Sequence, residues 1–472
     1  MKDNYLRDIM KNRSILFCYI FIVFFFTSCN FFKLENRKLS EDILPKTFSV
    51  YSNNLKIPKK WWLKFNDPEL NNLIDMALSQ NLSIKEAQAK FNQAKSVAQS
   101  TKSGLFPDLT GKISSGFSRQ KIKNEKNNAI SSEDYSMGLL SSYEIDIWGK
   151  VRSQWKADKL KAMATHESSK LIAISIASEV ARCWTEIISQ RIQLFILKKQ
   201  LDTNKTYQEL IELRFRKGIV SVLDIYQQKQ IIESIKAQIP LVKQKEQLLM
   251  NELAFFLGEA LISKFKITRN TLPVPYEIPE TGIPANLLSN RPDIRSAGYF
   301  LRAYEWQLSA AKANRLPSIN LTAMVNYNSN KLSMIFDNWL LNLSTNLATP
   351  LFDAQKRTSE VNRLKAVVDE KFIYYKKTVL MAIKEVEDLL IKETRQREYL
   401  NALQLEYNTT QKAKNEAYER YLKGLNTYLP VLTHLVSMQK LERDIIVQKT
   451  MLIIYRINLY KSLGGNWIDE LF

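Results

Sequence analysis

Few residues in this 472-residue chain are placed to do covalent chemistry. There are 2 His and 3 Cys. His166 and His434 lie far apart and suit helix surfaces better than a ligand set. No phosphate loop, H-E-x-x-H pair or nucleophile elbow occurs. The sequence therefore predicts no enzyme, no catalytic residue, no metal site and no cofactor. Cys183, mid-helix beside Trp184, reads as a small buried hydrophobe. Cys29 is the one residue set up for modification.

Arg7, Lys11 and Arg13 precede an apolar run from Ile15 to Phe26, followed by Thr27-Ser28-Cys29. Such a run, about 12 residues, is shorter than the ~20 helical residues that span a bilayer and fits a secretory h-region. Small residues directly before a Cys resemble the lipobox of bacterial lipoproteins. That resemblance implies that residues 1–28 are a signal peptide and that Cys29 carries lipid, palmitate included. Asn30 after the Cys favours sorting to the outer membrane by the same resemblance. With Cys29 modified, no disulfide framework is expected.

The formal charge is +20, with only 12 Gly. Lys side chains spread along helical stretches account for most of the positive balance. No compact basic patch interleaved with aromatics appears, so nucleic acid is not an expected partner.

Leu351 to Lys423 contains no Gly and no Pro. Val361, Leu364, Val367 and Val368, then Leu380, Ile383, Val386, Leu389 and Leu390, recur at helical spacing. Roughly 70 helical residues span on the order of 100 Å, so this stripe needs partner helices along its length. Val151 to Lys217 is a second such stretch. Both end alike: Arg214-Phe215-Arg216-Lys217-Gly218 and Arg420-Tyr421-Leu422-Lys423-Gly424. Leu257-Gly258 pairs with Leu463-Gly464, Trp148 with Phe352, and Pro107 with Pro317. The chain is two copies of one unit of about 200 residues.

Each copy also holds two alternating segments. Leu109, Ile113 and Phe117 alternate with Thr110, Lys112 and Ser114; Tyr135, Met137 and Leu139 open a second run. In the second copy, Leu321, Val325 and Tyr327 alternate with Asn320, Thr322 and Asn326, and Leu341, Leu343 and Leu347 with Asn342, Ser344 and Asn346. Strands of about 9–11 tilted residues cross a bilayer. Tyr135, Tyr327 and Trp339 fall near strand ends, where aromatic girdles sit.

The expected organisation is an extended segment 29–66, a first repeat 67–261, a linker 262–285, a second repeat 286–464 and a tail 465–472. The first repeat has a helix from Pro68 to about Lys102, strands 109–118 and 135–147 around a loop Arg119–Asp134, a long helix 150–217 and a return helix that Pro240 kinks. The second has a helix within Ala285–Arg315, strands 318–328 and 338–349, a long helix 351–423 and a return helix. Four strands cannot close a membrane barrel alone, because open edges leave backbone groups unpaired in lipid. Three copies give twelve. The fold class is a mixed α and β membrane protein: a trimeric 12-stranded β-barrel, four strands per chain, on a long α-helical barrel. The alternative is a periplasmic coiled-coil scaffold or adaptor lipoprotein with soluble hairpins.

Trp61-Trp62, Phe65 and Asp67-Pro68-Glu69-Leu70, the Phe106-Pro107 and Leu316-Pro317 strand starts, Asp146-Ile147-Trp148-Gly149-Lys150 and the two Arg-aromatic-x-x-Gly turns together resemble the TolC-like outer-membrane efflux proteins. The order and duplication of these motifs carry the likeness, from about Trp61 to Trp467. The resemblance implies a homotrimeric exit duct in outer-membrane lipid. It also implies a periplasmic membrane-fusion adaptor and an inner-membrane pump, usually of the RND type, that expel drugs or other small molecules. The turns with Arg214, Gly218, Arg420 and Gly424 then form the periplasmic tip and adaptor dock. Family acids that line the aperture are absent past the second turn, where Pro430 and Thr433 stand. Asp224 is the remaining acid, and weak cation selectivity is expected from it.

Overall fold

The computed structural model describes residues 60–121, 129–260, 265–274 and 286–465. The expected signal peptide, Cys29 and most of the tail lie outside the described residues. The helices and strands form two compact units.

One unit comprises Lys90–Thr165 and Ser296–Lys376. Its sheet contains β1 (Asp108–Lys121), β2 (Ala129–Glu144), β3 (Ser318–Ser329) and β4 (Trp339–Ala348). They are hydrogen-bonded in that order, every neighbour antiparallel. The first hairpin is longer than the sequence suggests. Strands reach into the expected loop, where Arg119 lies opposite Ser131 and the Ser118 and Ser132 hydroxyls bond at 2.7 Å. Ser131 and Ser132, read as loop residues, are here consecutive residues of a strand and point to opposite faces. β2 stops at Glu144, not 147: Ile145 N–H still donates to Ile319 O at 2.9 Å, then Ile147 N–H turns back to Ile145 O. Beside the sheet, Leu301 and Leu308 pack with Val361, Leu364 and Val368.

The other unit comprises 60–89, 166–295 and 377–465 of the described chain. Its main core joins Trp61, Trp62, Phe65, Leu70 and Ile74 to Ile174, Val180, Trp184 and Ile188, and to Leu253, Ile453 and Ile457. Trp61 stacks on Tyr460 with centroids 5.4 Å apart. Cys183 is fully buried there, and burial raises its thiol pKa well above the ordinary range, which leaves it inert. Phe265 and Ile267 join this core, so part of the expected linker is anchored.

The helix starting at Pro68 is capped as its sequence predicts, with Asp67 Oδ1 accepting from Glu69 N and Leu70 N at 2.9 and 3.0 Å. It does not run to Lys102. It breaks into α1 (Pro68–Gln80) and α2 (Leu82–Ser103), because Asn81 is extended and its amide donates to Phe256 O at 2.8 Å. The second copy breaks at the matching place, into α5 (Asn286–Asn290) and α6 (Pro292–Ala313).

Between them lie α3 (Lys150–Arg216) and α4 (Val222–Phe256), the latter continuous through Pro240. The second copy ends with α7 (Lys356–Leu422) and α8 (Leu429–Leu463). α7 starts at Lys356, not 351, because Ala354 and Gln355 hold positive φ of 48° and 68°. No described helix is long and apolar enough to cross a membrane.

Candidate channel wall and helix-reversal turns

Strand pairing sorts side chains onto two faces, since neighbours opposite one another share a face. One face carries Leu109, Ile113, Met137, Leu139, Leu321, Val325, Leu341, Leu343 and Leu347. The other carries Lys112, Ser114, Ser136, Asn320, Thr322, Asn342, Ser344 and Asn346. This is the expected alternation, register included. The apolar face is open: Ile113 is 77% exposed and Leu343 72%. An apolar patch of that extent is unsuited to water and suited to lipid. Tyr135, Tyr327 and Trp339 line one end of it. On the polar face, Ser114 and Ser136 hydroxyls bond at 2.6 Å, and the Asn326 amide donates to Asn328 at 2.7 Å. Gly138 leaves room for Asn326, whose Oδ1 would lie 2.6 Å from a Cβ there. β1 and β4 are each paired on one side only.

The second feature is the pair of helix reversals. Gly218 has φ +71° and Gly424 φ +73°. At the first, Gly218 N donates to Phe215 O and Ile219 N to Arg214 O; at the second, Gly424 N donates to Tyr421 O and Leu425 N to Arg420 O. These are paired Schellman ends, which need a left-handed residue. A single small core holds both turns: Ile211, Ala417, Tyr421, Tyr428, Val431 and Leu432. Arg214 fastens them, its guanidinium 4.4 Å from the Tyr421 ring centroid.

The structure therefore brings Gly218, Arg214 and the Gly424 turn together, with Arg420 exposed. Asp224 is half-buried and has a local duty. Its carboxylate accepts from Ser221 N at 3.2 Å, closing a capping box at the start of α4. Pro430 occupies the first turn of α8, and the exposed Thr433 donates its hydroxyl to Leu429 O at 2.9 Å. His166 and His434 are half-buried on α3 and α8. No cluster of three or more His, Cys, Asp or Glu that could hold a metal occurs among the described residues.

Sequence reasoning missed a buried polar chain near the turns. Tyr428 hydroxyl donates to Gln228 Oε1 at 2.7 Å; Gln228 donates to Asn204 O at 2.8 Å; Asn204 donates to Gln439 Oε1 at 3.1 Å. Gln200 continues it to Gln439 O at 3.0 Å and receives Arg443. Burial pushes the Tyr428 phenol far above its usual pKa, so it stays a neutral donor. The chain ties α3 to both return helices. Its only sequence signal is amides at helical positions otherwise filled by apolar residues.

A model of the outer membrane efflux protein family matches residues 73–259 and 283–465. The chain belongs to the outer membrane efflux protein family. It is similar to the pyoverdine export outer membrane protein OpmQ of Pseudomonas aeruginosa, 27% identical over 422 residues that cover 87% of this chain and 88% of OpmQ. The probable outer membrane lipoprotein SilC of Salmonella typhimurium is 27% identical over 450 residues, 90% of this chain and 93% of SilC. The solved outer-membrane channel OprN shares the fold, with a TM-score of 0.84 over 93% of this chain and 98% of OprN at 21% identity. This protein is an outer-membrane efflux channel of mixed α and β fold, the architecture of the family's trimeric channels.

Proposed function

We propose that the protein is the passive exit duct of a tripartite efflux assembly. It receives small molecules from an inner-membrane pump through a periplasmic adaptor and releases them beyond the outer membrane. One observation carries this reading: a four-stranded antiparallel sheet with an exposed apolar face, a polar face and two unpaired edges. Such edges cannot stand in lipid. Three copies supply twelve strands and a lumen wide enough for solute. The reading includes no catalysis. It assigns the pump to the RND type, lipid to Cys29 and adaptor docking to the turns at Gly218 and Gly424. The similarity to SilC, a probable outer membrane lipoprotein, supports the lipid assignment. The alternative, a periplasmic scaffold with soluble hairpins, leaves the apolar face wet.

Recording from purified protein in a planar bilayer tests the reading. Discrete conductance steps, together with a detergent mass of three copies, are expected. A stable monomer without conductance would overturn it.

A further inference from the structure

At the joint between strands and long helix, the two copies of the repeat differ in how much surface they leave open. Where the first strand pair ends, residues 145–150 are all half-buried. They rest on the start of the second strand pair, where Trp148 Nε1 donates to Pro317 O at 2.6 Å and residues 316–320 are half-buried in return. The matching residues elsewhere lack that cover. At the end of the second pair, Leu351 is 91% exposed and Phe352 89%. At the start of the first pair, Phe106 is 62% exposed and Pro107 is exposed as well. The uncovered end sits beside edge strand β4, and the uncovered start beside edge strand β1. A repeat that covers this joint once within the chain leaves one complementary half-joint at each edge. Such halves fit a second copy of the same chain by head-to-tail association, which closes into a ring.

We propose that Leu351 and Phe352 of one copy seat against Phe106-Pro107 of the next, repeating between chains what Trp148 does with Pro317 within one. The joint also sets a strand register. Within the chain, Ser142 lies opposite Thr322, Leu139 opposite Val325 and Met137 opposite Tyr327. Carrying these pairs through the repeat, with Trp148 matched to Phe352 and Pro107 to Pro317, places β4 antiparallel to β1 of the next copy. Asn346 then faces Lys112, Leu343 faces Ser115 and Leu341 faces Phe117. Every pair joins like faces: Leu343, Ser115, Leu341 and Phe117 lie on the apolar side, Asn346 and Lys112 on the polar side. No side chain has to cross the wall, a condition that an odd shift would break. The inference rests on the reading that several copies close one barrel, and adds which residues meet.

Paired cysteines test it in the full-length protein in membranes. Opposed strand residues bring Cα atoms within the 4.4–6.8 Å that a disulfide spans. Leu343→Cys with Ser115→Cys is expected to link copies into dimers and trimers on mild oxidation. Leu343→Cys with Ser114→Cys, on opposite faces, is expected to stay unlinked. Phe352→Ser is expected to raise the monomer fraction in SDS several-fold, with Trp148→Phe as the control within one chain. Efficient linking of Leu343→Cys to Phe117→Cys or Ile113→Cys instead would overturn the register by a two-residue slip. A trimer by mass with no linking of Leu343→Cys to Ser115→Cys would overturn the joint. A monomer by mass would instead overturn the barrel reading beneath it.

Discussion

Two junctions hold the ends of the return helices, and they use different chemistry for the same geometry. In the first copy, neutral Asn81 donates to Phe256 O, and Gly258, at φ +72°, lies so close that a Cβ would come 2.9 Å from Gln80 O. In the second, Arg291 donates to Ser462 O at 2.9 Å, pairs with Asp293 at 2.8 Å and reaches Glu385 at 2.8 Å. There Gly464, at φ +73°, has so little space that a Cβ would approach Asn290 O more closely still. The glycine is the fixed part and the polar side chain is the variable part. Backbone approach and a left-handed φ admit one residue type, whereas a carbonyl accepts from an amide or a guanidinium equally well.

The comparison can be broken at the glycines first. Gly464→Ala combines a positive φ costing about 1–2 kcal/mol with an overlap costing about 1–3 kcal/mol. Gly258→Ala, less crowded, should lose less. Denaturation midpoints of the purified oligomer would check the order, and similar small losses would show that the junctions yield. Next come the polar residues. Arg291→Ala leaves Asp293 and Ser462 O without their cation and should cost about 2–4 kcal/mol, discounted because Glu385 is half exposed. Asn81→Ala removes a helix start and one long-range bond, for about 1–2 kcal/mol. If the same unfolding assay ranked Asn81→Ala above Arg291→Ala, the charged junction would be the weaker one.

The helix reversals sharpen the contrast. Nothing lies within 4 Å of a Cβ at Gly218 or Gly424. Ala at either should therefore cost only the backbone penalty of about 1–2 kcal/mol, read in the same assay. Smallest of all, Asp224→Asn should weaken its capping box by about 0.5–1 kcal/mol. It should also reduce a weak cation preference, read as the reversal potential across a KCl gradient. A strong preference that survives the change would place ion selection elsewhere.

Much of this was legible in the sequence. Alternation fixed the faces of all four strands, and the repeat located both reversals at Gly218 and Gly424. The helix break at Asn81 was hidden, because its cause is a carbonyl 175 residues away. The break before Pro292 had a local signal, since a residue preceding proline disfavours the helical region. Ser131 and Ser132 read as loop because a polar stretch of strand facing no core looks like a loop in sequence. Asp224 stood out as an acid near an aperture, yet Ser221 three residues before it is a capping-box pattern. The chain from Tyr428 to Gln439 had no such clue: Asn204 and Gln439 are 235 residues apart.

The polar strand face has a kinetic consequence. Its amides and hydroxyls at Ser114, Ser136, Asn320, Asn342 and Asn346 both give and accept hydrogen bonds. Such a surface holds water as readily as it holds solute, so a passing molecule exchanges one contact for another at little net gain. Tight sites trap what they bind, and conduction needs sites weak enough to leave. A wall of this kind acts as a low-friction sleeve, along which transit time follows diffusion.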